Sequence, residues 1–199
     1  MERTIEALKA RVVKLGYEVR EENPATLDEI AKLEAISGRH LSKASKTYLT
    51  TYGAVAILID EADFNLWTES AAELIVSLQD DRKWARLNAL SLVEYIRYSW
   101  SNDKDHLSPE NLGQEAYDLL DGLICIGMMS DGYYEENGYI IERPDDQFSL
   151  YVWHQDDRLH NPEDDKPMPL EELLHRCIDY YEKNPEDFSM GALGDFLNT

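Results

Sequence analysis

The chain has 199 residues and a formal net charge of -21 at pH 7, and this length suits a single domain. The charge is uneven along the chain. Residues 1–100 contain 13 Lys and Arg against 16 Asp and Glu, whereas residues 101–199 contain 6 against 24. A surface with that balance repels nucleic acids and anionic membranes and attracts basic proteins. The composition therefore argues against nucleic-acid binding and favours a basic protein as partner.

Hydrophobic residues make up 43% of the chain, and its 12 Tyr and 4 Trp are typical of a folded protein. The longest apolar run, from Leu123 to Met129, is far shorter than the ~20 residues that a membrane span requires. The N-terminal segment lacks the apolar stretch of a signal peptide. We therefore expect a soluble, cytoplasmic protein. Cys125 and Cys177 lie in apolar patterns and are expected to be reduced and buried, with one long-loop disulfide as the alternative.

Three helices are predicted in the first quarter of the chain. The first ends at Gly16. Its apolar face comprises Ile5, Leu8, Val12 and Leu15. Thr26 with Glu29 predicts a capping box at the start of the second helix. The apolar face of that helix comprises Leu27, Ile30, Leu33 and Ile36. Ser42 predicts the start of the third helix, which Gly53 ends.

The middle of the chain mixes strand and helix signals. Residues 55–59 form a short apolar, partly β-branched run, which predicts a buried strand. Residues 68–100 have a mostly helical pattern. Ser108-Pro109-Glu110 then predicts the start of another helix, which runs to about Gly122.

Strand signals dominate from residue 123 onwards. Strands are predicted at 123–128, 139–141 and 148–153, with turns at Asp131-Gly132 and Asn137-Gly138. A closing helix is predicted over residues 170–181, and a short apolar tail follows Pro185. The inner face of the closing helix comprises Leu173, Leu174, Cys177 and Ile178.

This order of elements predicts an α+β fold with a largely antiparallel sheet flanked by helices. We expect one domain over residues 1–199. Residues 68–121 are a possible helical insert in that domain, and residues 185–199 form its C-terminal tail.

Two groups of residues in the second half carry side chains that can bind metal ions. His154, Asp156, Asp157 and His160 carry side chains that suit zinc or a two-metal hydrolase, but their spacing matches no metal motif. Clustered acidic turns could supply oxygen ligands for calcium, although the EF-hand pattern is absent. Those acids are Asp131, Glu135, Glu136, Asp145 and Asp146. We expect no metal, no cofactor and no catalytic residue.

Aromatic residues recur along the predicted strands and turns of the second half. Most are expected in the core or covering the sheet, and the remainder could form an aromatic surface among the acids. The residues concerned are Tyr133, Tyr134, Tyr139, Tyr151 and Trp153.

Three stretches resemble the SUKH superfamily, which includes fungal cell-wall synthesis regulators and bacterial toxin-immunity proteins. ATLDEIAKLEAISGRHLSKASKTYLTTYGA resembles the family's two N-terminal helices, of which the second ends at a Gly. LICIGMMSDGYYEENGYIIE resembles its strand, acidic-Gly turn and following strand. FSLYVWHQDD followed by PLEELLHRCIDYY resembles its strand with a terminal Trp and its closing helix. Ser42 replaces the Pro usual in the family, and residues 68–121 are longer than the corresponding part of its members.

The resemblance implies a non-catalytic binding module, because bacterial members often neutralise a cognate toxin that is frequently a nuclease. Nuclease toxins tend to have basic clefts, which an acidic protein can occupy. We therefore expect a basic toxin domain as partner. The expected contact residues are Asp131, Tyr133, Tyr134, Glu135, Glu136, Asp145, Asp146, Asp156 and Asp157. A regulatory scaffold of the cell-wall-regulator type and a metal-dependent hydrolase remain alternatives.

Overall fold

The computed structural model describes residues 3–59, 64–68, 71, 90–99, 107–130, 136–154, 158–160 and 165–199. The described helices are α1 (Ile5–Lys14), α2 (Leu27–Ser37), α3 (Lys43–Tyr52), α4 (Leu92–Ser99), α5 (Pro109–Leu112), α6 (Gln114–Gly122), α7 (Leu170–Lys183) and α8 (Met190–Leu197). The described strands are β1 (Glu18–Glu21), β2 (Val55–Ile59), β3 (Phe64–Thr68), β4 (Cys125–Ser130), β5 (Glu136–Arg143), β6 (Gln147–His154) and β7 (Arg158–His160).

These strands form one antiparallel sheet in which spatial order follows chain order from β1 to β7. Helices occupy several of the connections between strands. The described elements therefore form an α+β fold with an antiparallel sheet, as the sequence predicts.

Hydrophobic cores lie on both faces of the sheet, because successive side chains of a strand point to opposite faces. On β6, Leu150 and Val152 contribute to the core shared with α1, α2, α3, α7 and α8. Tyr151 and Trp153 contribute to the second core, which α4 covers. Side chains of α5 and α6 pack against the edge of this second core. Helices α4, α5 and α6 belong to the possible insert at 68–121, and together they cover one face of the sheet.

Strand β4 contains a β-bulge between Cys125 and Gly127. Cys125 pairs with Ile141 and Gly127 pairs with Ile140, so Ile126 is an extra residue on β4. The bulge explains why Cys125 and Met128, which are three residues apart, both belong to the second core, since without an extra residue they would lie on opposite faces.

Local signals in the sequence located the starts of two helices correctly. Thr26 and Glu29 form the capping box of α2, with the Thr26 hydroxyl accepting from the Glu29 N–H. Ser42 caps α3 by accepting from the Ser45 N–H at 3.1 Å. The predicted strand at 55–59 is also confirmed as β2.

Both cysteines are free and buried, as predicted. Cys177 lies on the inner face of α7, where Leu173, Leu174 and Ile178 are also buried. The apolar tail after Pro185 contains the short helix α8, of which Leu193 and Leu197 are buried.

The turn predicted at Asn137-Gly138 is wrong, because both residues lie inside β5. Asn137 pairs with Ser130 on one side and with Trp153 on the other. A side chain at Gly138 would lie 2.9 Å from Leu150 Cδ1 and 3.2 Å from Met190 Sδ. The side chains of Leu150 and Met190 fill the space beside Gly138, and sequence alone does not show this contact.

Two further expectations need correction. Thr68 belongs to β3, so the helical pattern assigned to 68–100 begins too early. Residues 72–89, within that predicted helix, lie outside the described residues. On α2, Ile30 and Leu33 are buried, whereas Leu27 is 76% exposed and Ile36 is 37% exposed. The buried stripe of α2 is therefore narrower than its apolar pattern.

Candidate functional site

The structure describes three of the nine residues expected to contact a partner, and these are Glu136, Asp145 and Asp146. The other six lie outside the described residues, in the connections 131–135 and 155–157. They are Asp131, Tyr133, Tyr134, Glu135, Asp156 and Asp157.

Glu136 and the Asp145-Asp146 pair lie at opposite ends of β5. Roughly 25 Å separates the two ends of a strand of this length. Glu136 pairs with His154, so the connection before Glu136 and the connection after His154 start from the same end of the sheet. The three described contact residues therefore divide between two ends of the sheet.

Glu136 supports the fold at its end of the sheet. Its Oε2 accepts a hydrogen bond from the Gly191 N–H at 2.8 Å. Gly191 is in the first turn of α8, whose N-terminal N–H groups lack partners within the helix. Glu136 is half-buried by this contact. A substitution of Glu136 would therefore change the stability of the fold as well as any binding to a partner.

The acids at the other end of β5 hold the N-terminus of α3. Glu142 accepts from the Ser42 N–H at 2.7 Å and from the Ser45 hydroxyl. Asp146 accepts from the Ala44 N–H at 3.0 Å. Carboxylates are favourable at a helix N-terminus because they complement its dipole and its free N–H groups.

The turn between β5 and β6 has a left-handed backbone at Asp145 (φ 63°) and Asp146 (φ 59°). Aspartate tolerates this conformation better than most residues. Both side chains are exposed. They border a shallow groove of about 470 Å³ that His40, Ser42 and Ile124 also line.

Three acids of α7 form ion pairs with arginines from the first half of the chain. Arg3 pairs with Glu172, and Arg11 pairs with Asp179 at 2.6 Å and with Glu182. The Arg11 pairs join α1 to α7, and Arg3 adds a pair from just before α1. The charge imbalance between the two halves of the sequence is therefore partly cancelled within the fold.

Other acids of the second half are exposed and have no ion-pair partner among the described residues. These acids are Glu110, Glu115, Asp118, Asp145, Asp146, Glu186, Asp187 and Asp195. The negative field that would attract a basic partner comes in part from these side chains.

Three of the five aromatic residues singled out in the sequence are in the core. Tyr139, Tyr151 and Trp153 are each no more than 4% exposed. They belong to the second core, beneath α4. Tyr133 and Tyr134 lie outside the described residues, so the aromatic surface they could form stays a prediction.

Both cysteines and His175 are buried. Burial raises the pKa of the Cys177 thiol far above its usual value. The buried His175 has its Nε2 2.9 Å from the carbonyl oxygen of Thr4. Among the described side chains, no group of three or more His, Cys, Asp or Glu is arranged to hold a metal ion. Asp156 and Asp157 of the candidate metal group lie outside those residues.

Sequence reasoning missed one exposed surface, the outward face of α6. Leu119 on this face is 69% exposed and is flanked by the exposed Glu115 and Asp118. The sequence does indicate an acidic segment here, because residues 107–130 contain four acids and no Lys, Arg or His.

Comparison with known proteins gives no relationship for this chain: no protein-family model, curated protein or solved structure matches it. Within the part of the chain that the structure describes, no helix combines the length and apolar character needed to cross a membrane.

Proposed function

We propose that this protein is a non-catalytic binding module of the immunity type, which neutralises a basic, nuclease-like toxin in the cytoplasm through an acidic surface. The observation that carries the proposal is the set of exposed acids in the second half that no described cation neutralises, which includes the expected contact residues Asp145 and Asp146. A basic cleft would be attracted to such a surface and oriented by it during association.

The resemblance to the SUKH superfamily supports the same proposal. It rests on the order of the three quoted stretches, which correspond to α2 and α3, to β4 and β5, and to β6 and α7. The non-catalytic part of the proposal is supported by the burial of both cysteines, which keeps their thiols away from substrates.

The first experiment is capture of partners from an extract of the native cell on the immobilised protein at low salt, followed by elution with a salt step. The proposal expects a basic protein that elutes with salt and whose nuclease activity falls when this protein is added in equimolar amount. Capture of no basic protein, or capture of one whose activity is unaffected, would overturn it.

Charge-reversal variants then locate the surface. Asp131→Lys with Glu135→Lys changes the expected contact residues and leaves the Glu136 contact to α8 intact. Glu186→Lys with Asp187→Lys is the matched control, since it makes the same change in net charge at two exposed residues outside the expected contact set. We expect the first pair to slow association with the captured toxin roughly tenfold more than the control. Equal effects would show that only the net charge matters.

A further inference from the structure

The outward face of α6 has an exposed leucine next to exposed acids. Leu119 is 69% exposed, and the neighbouring Glu115 and Asp118 are exposed as well. Residues 115, 118 and 119 share one side of the helix because positions three and four apart lie on the same face. Glu110 adds a further exposed acid on α5.

Helix α6 is only partly buried against the rest of the protein. It has nine residues, and none of them is fully buried. Tyr117 and Leu120 are only partly buried where they pack against the second core. Helices of this length are marginal without tertiary packing, since most helical stability in proteins comes from a buried apolar face. A partner that covers the opposite face would therefore add stability to α6.

The charged side chains of the segment that contains α5 and α6 are all negative. Residues 107–130 contain no Lys, Arg or His, and of their four acids only Asp121 has an ion-pair partner among the described residues, at 3.1 Å from Arg39. Two of the remaining acids, Glu115 and Asp118, flank Leu119, which is therefore an apolar residue on an acidic face. Such a surface complements an amphipathic segment that has basic residues around an apolar one.

We infer that the outward face of α6 is a docking surface for a basic amphipathic segment of a protein partner, with Leu119 as its apolar contact. This inference rests on the proposed function and deepens it, because it names a contact that lies outside the connections 131–135 and 155–157. The occupant buries Leu119 and pairs its cations with Glu115 and Asp118.

The test uses two defined probes on the full chain. One is a short amidated peptide of Leu and Lys spaced as an amphipathic helix, and the other is an oligolysine peptide of equal charge. Leu119→Asp removes the apolar contact while it adds negative charge, so it separates apolar docking from simple charge attraction. Val13→Asp is the matched control, because Val13 is 61% exposed on α1.

We expect Leu119→Asp to weaken binding of the Leu/Lys peptide ~10-fold or more, since burial of a leucine side chain is lost. Val13→Asp should leave that affinity unchanged, and oligolysine should bind Leu119→Asp as well as wild type. Hydrogen exchange with the bound Leu/Lys peptide should show new protection across residues 114–122.

Equal affinity of the Leu/Lys peptide for wild type and Leu119→Asp would overturn the inference, as would protection that avoids α6. A much larger fall in the melting temperature of the free protein for Leu119→Asp than for Val13→Asp would also overturn it, because this chain would then cover Leu119 itself. These readouts need no toxin, so failure here is distinguishable from failure of the extract capture.

Discussion

Glu136 on β5 accepts a hydrogen bond from the backbone N–H of Gly191 at 2.8 Å and so joins the sheet to the first turn of α8. The two residues are also in close contact, since a Cβ on Gly191 would lie 3.2 Å from Glu136 Oε1. An acid that the sequence places on a binding surface thus supports the C-terminal helix.

We expect Glu136→Ala to destabilise the protein by about 1 kcal/mol, because loss of a cap leaves a helix N–H unpaired. Glu136→Gln should lose less, since its amide oxygen can still accept this hydrogen bond. Urea unfolding followed by circular dichroism measures both effects. Glu115→Ala is the control, since Glu115 is exposed and has no ion-pair partner among the described residues. Equal stability of Glu136→Ala and Glu115→Ala would mean that the contact contributes nothing.

Gly138 allows β5 to lie close to β6 and α8. A Cβ at this position would be 2.9 Å from Leu150 Cδ1. Overpacking of this kind costs about 1–3 kcal/mol. We therefore expect Gly138→Ala to lower the free energy of unfolding by that amount, as measured by urea titration.

Gly122→Ala provides the comparison for Gly138→Ala, because a Cβ at Gly122 meets no atom within 4 Å. Alanine is a better helix former than glycine, so this change should be neutral or stabilising by up to about 1 kcal/mol. A Gly138→Ala variant as stable as Gly122→Ala would show that Leu150 moves aside without cost.

Features that depend on neighbours in sequence could be predicted, and those that depend on distant contacts could not. The caps at Thr26 and Ser42 were found because each involves residues within one turn of helix. Gly138 was misassigned because the atoms that require a glycine there belong to Leu150 and Met190. Strand β1 has no apolar alternation, and it forms by backbone pairing with β2.

The candidate site also depends on distant contacts that the sequence does not show. The sequence shows that the second half is rich in acids, but it does not show that β5 separates Glu136 from Asp145. Pairing between Arg11 and the acids of α7 depends on contacts across most of the chain length. The local sequence does not distinguish the exposed Leu119 from the partly buried Leu120 beside it.

Glu34 gives the protein a predictable dependence on pH. Burial raises the pKa of this carboxyl, but hydrogen bonds from Lys46 and from the Leu41 N–H outweigh it, so the pKa falls below its usual value of 4.5. Its Oε1 lies 2.9 Å from Lys46 Nζ and 2.8 Å from the Leu41 nitrogen.

A carboxyl with a lowered pKa in the folded state stabilises the fold above its unfolded pKa, and this contribution is lost as the pH falls through the folded pKa. We therefore expect Glu34→Gln to be less stable than wild type at pH 7, with the difference shrinking below the usual carboxyl pKa. Urea unfolding across that range measures the difference. Glu115→Gln is the control for removal of one exposed carboxylate charge, and a constant deficit of Glu34→Gln at every pH would contradict the assignment.

The Arg11 ion pairs predict a salt-dependent contribution to stability. Arg11 bridges Asp179 and Glu182 on α7, and its side chain is only 24% exposed. Pairs near the surface contribute about 0.2–1 kcal/mol each and are screened by salt. We expect Arg11→Met to lower the free energy of unfolding by about 1 kcal/mol at low ionic strength and by less in molar salt.

Lys14→Met is the matched control for Arg11→Met, since Lys14 is exposed on the same helix and has no ion-pair partner among the described residues. The control removes the same charge from a protein with a net charge of -21, so it measures the general cost of added repulsion. The specific contribution of the Arg11 pairs is the difference between the two variants. If both variants lose the same stability at low salt, the ion pairs of Arg11 add nothing specific. The contact between α1 and α7 would then be maintained by its apolar residues.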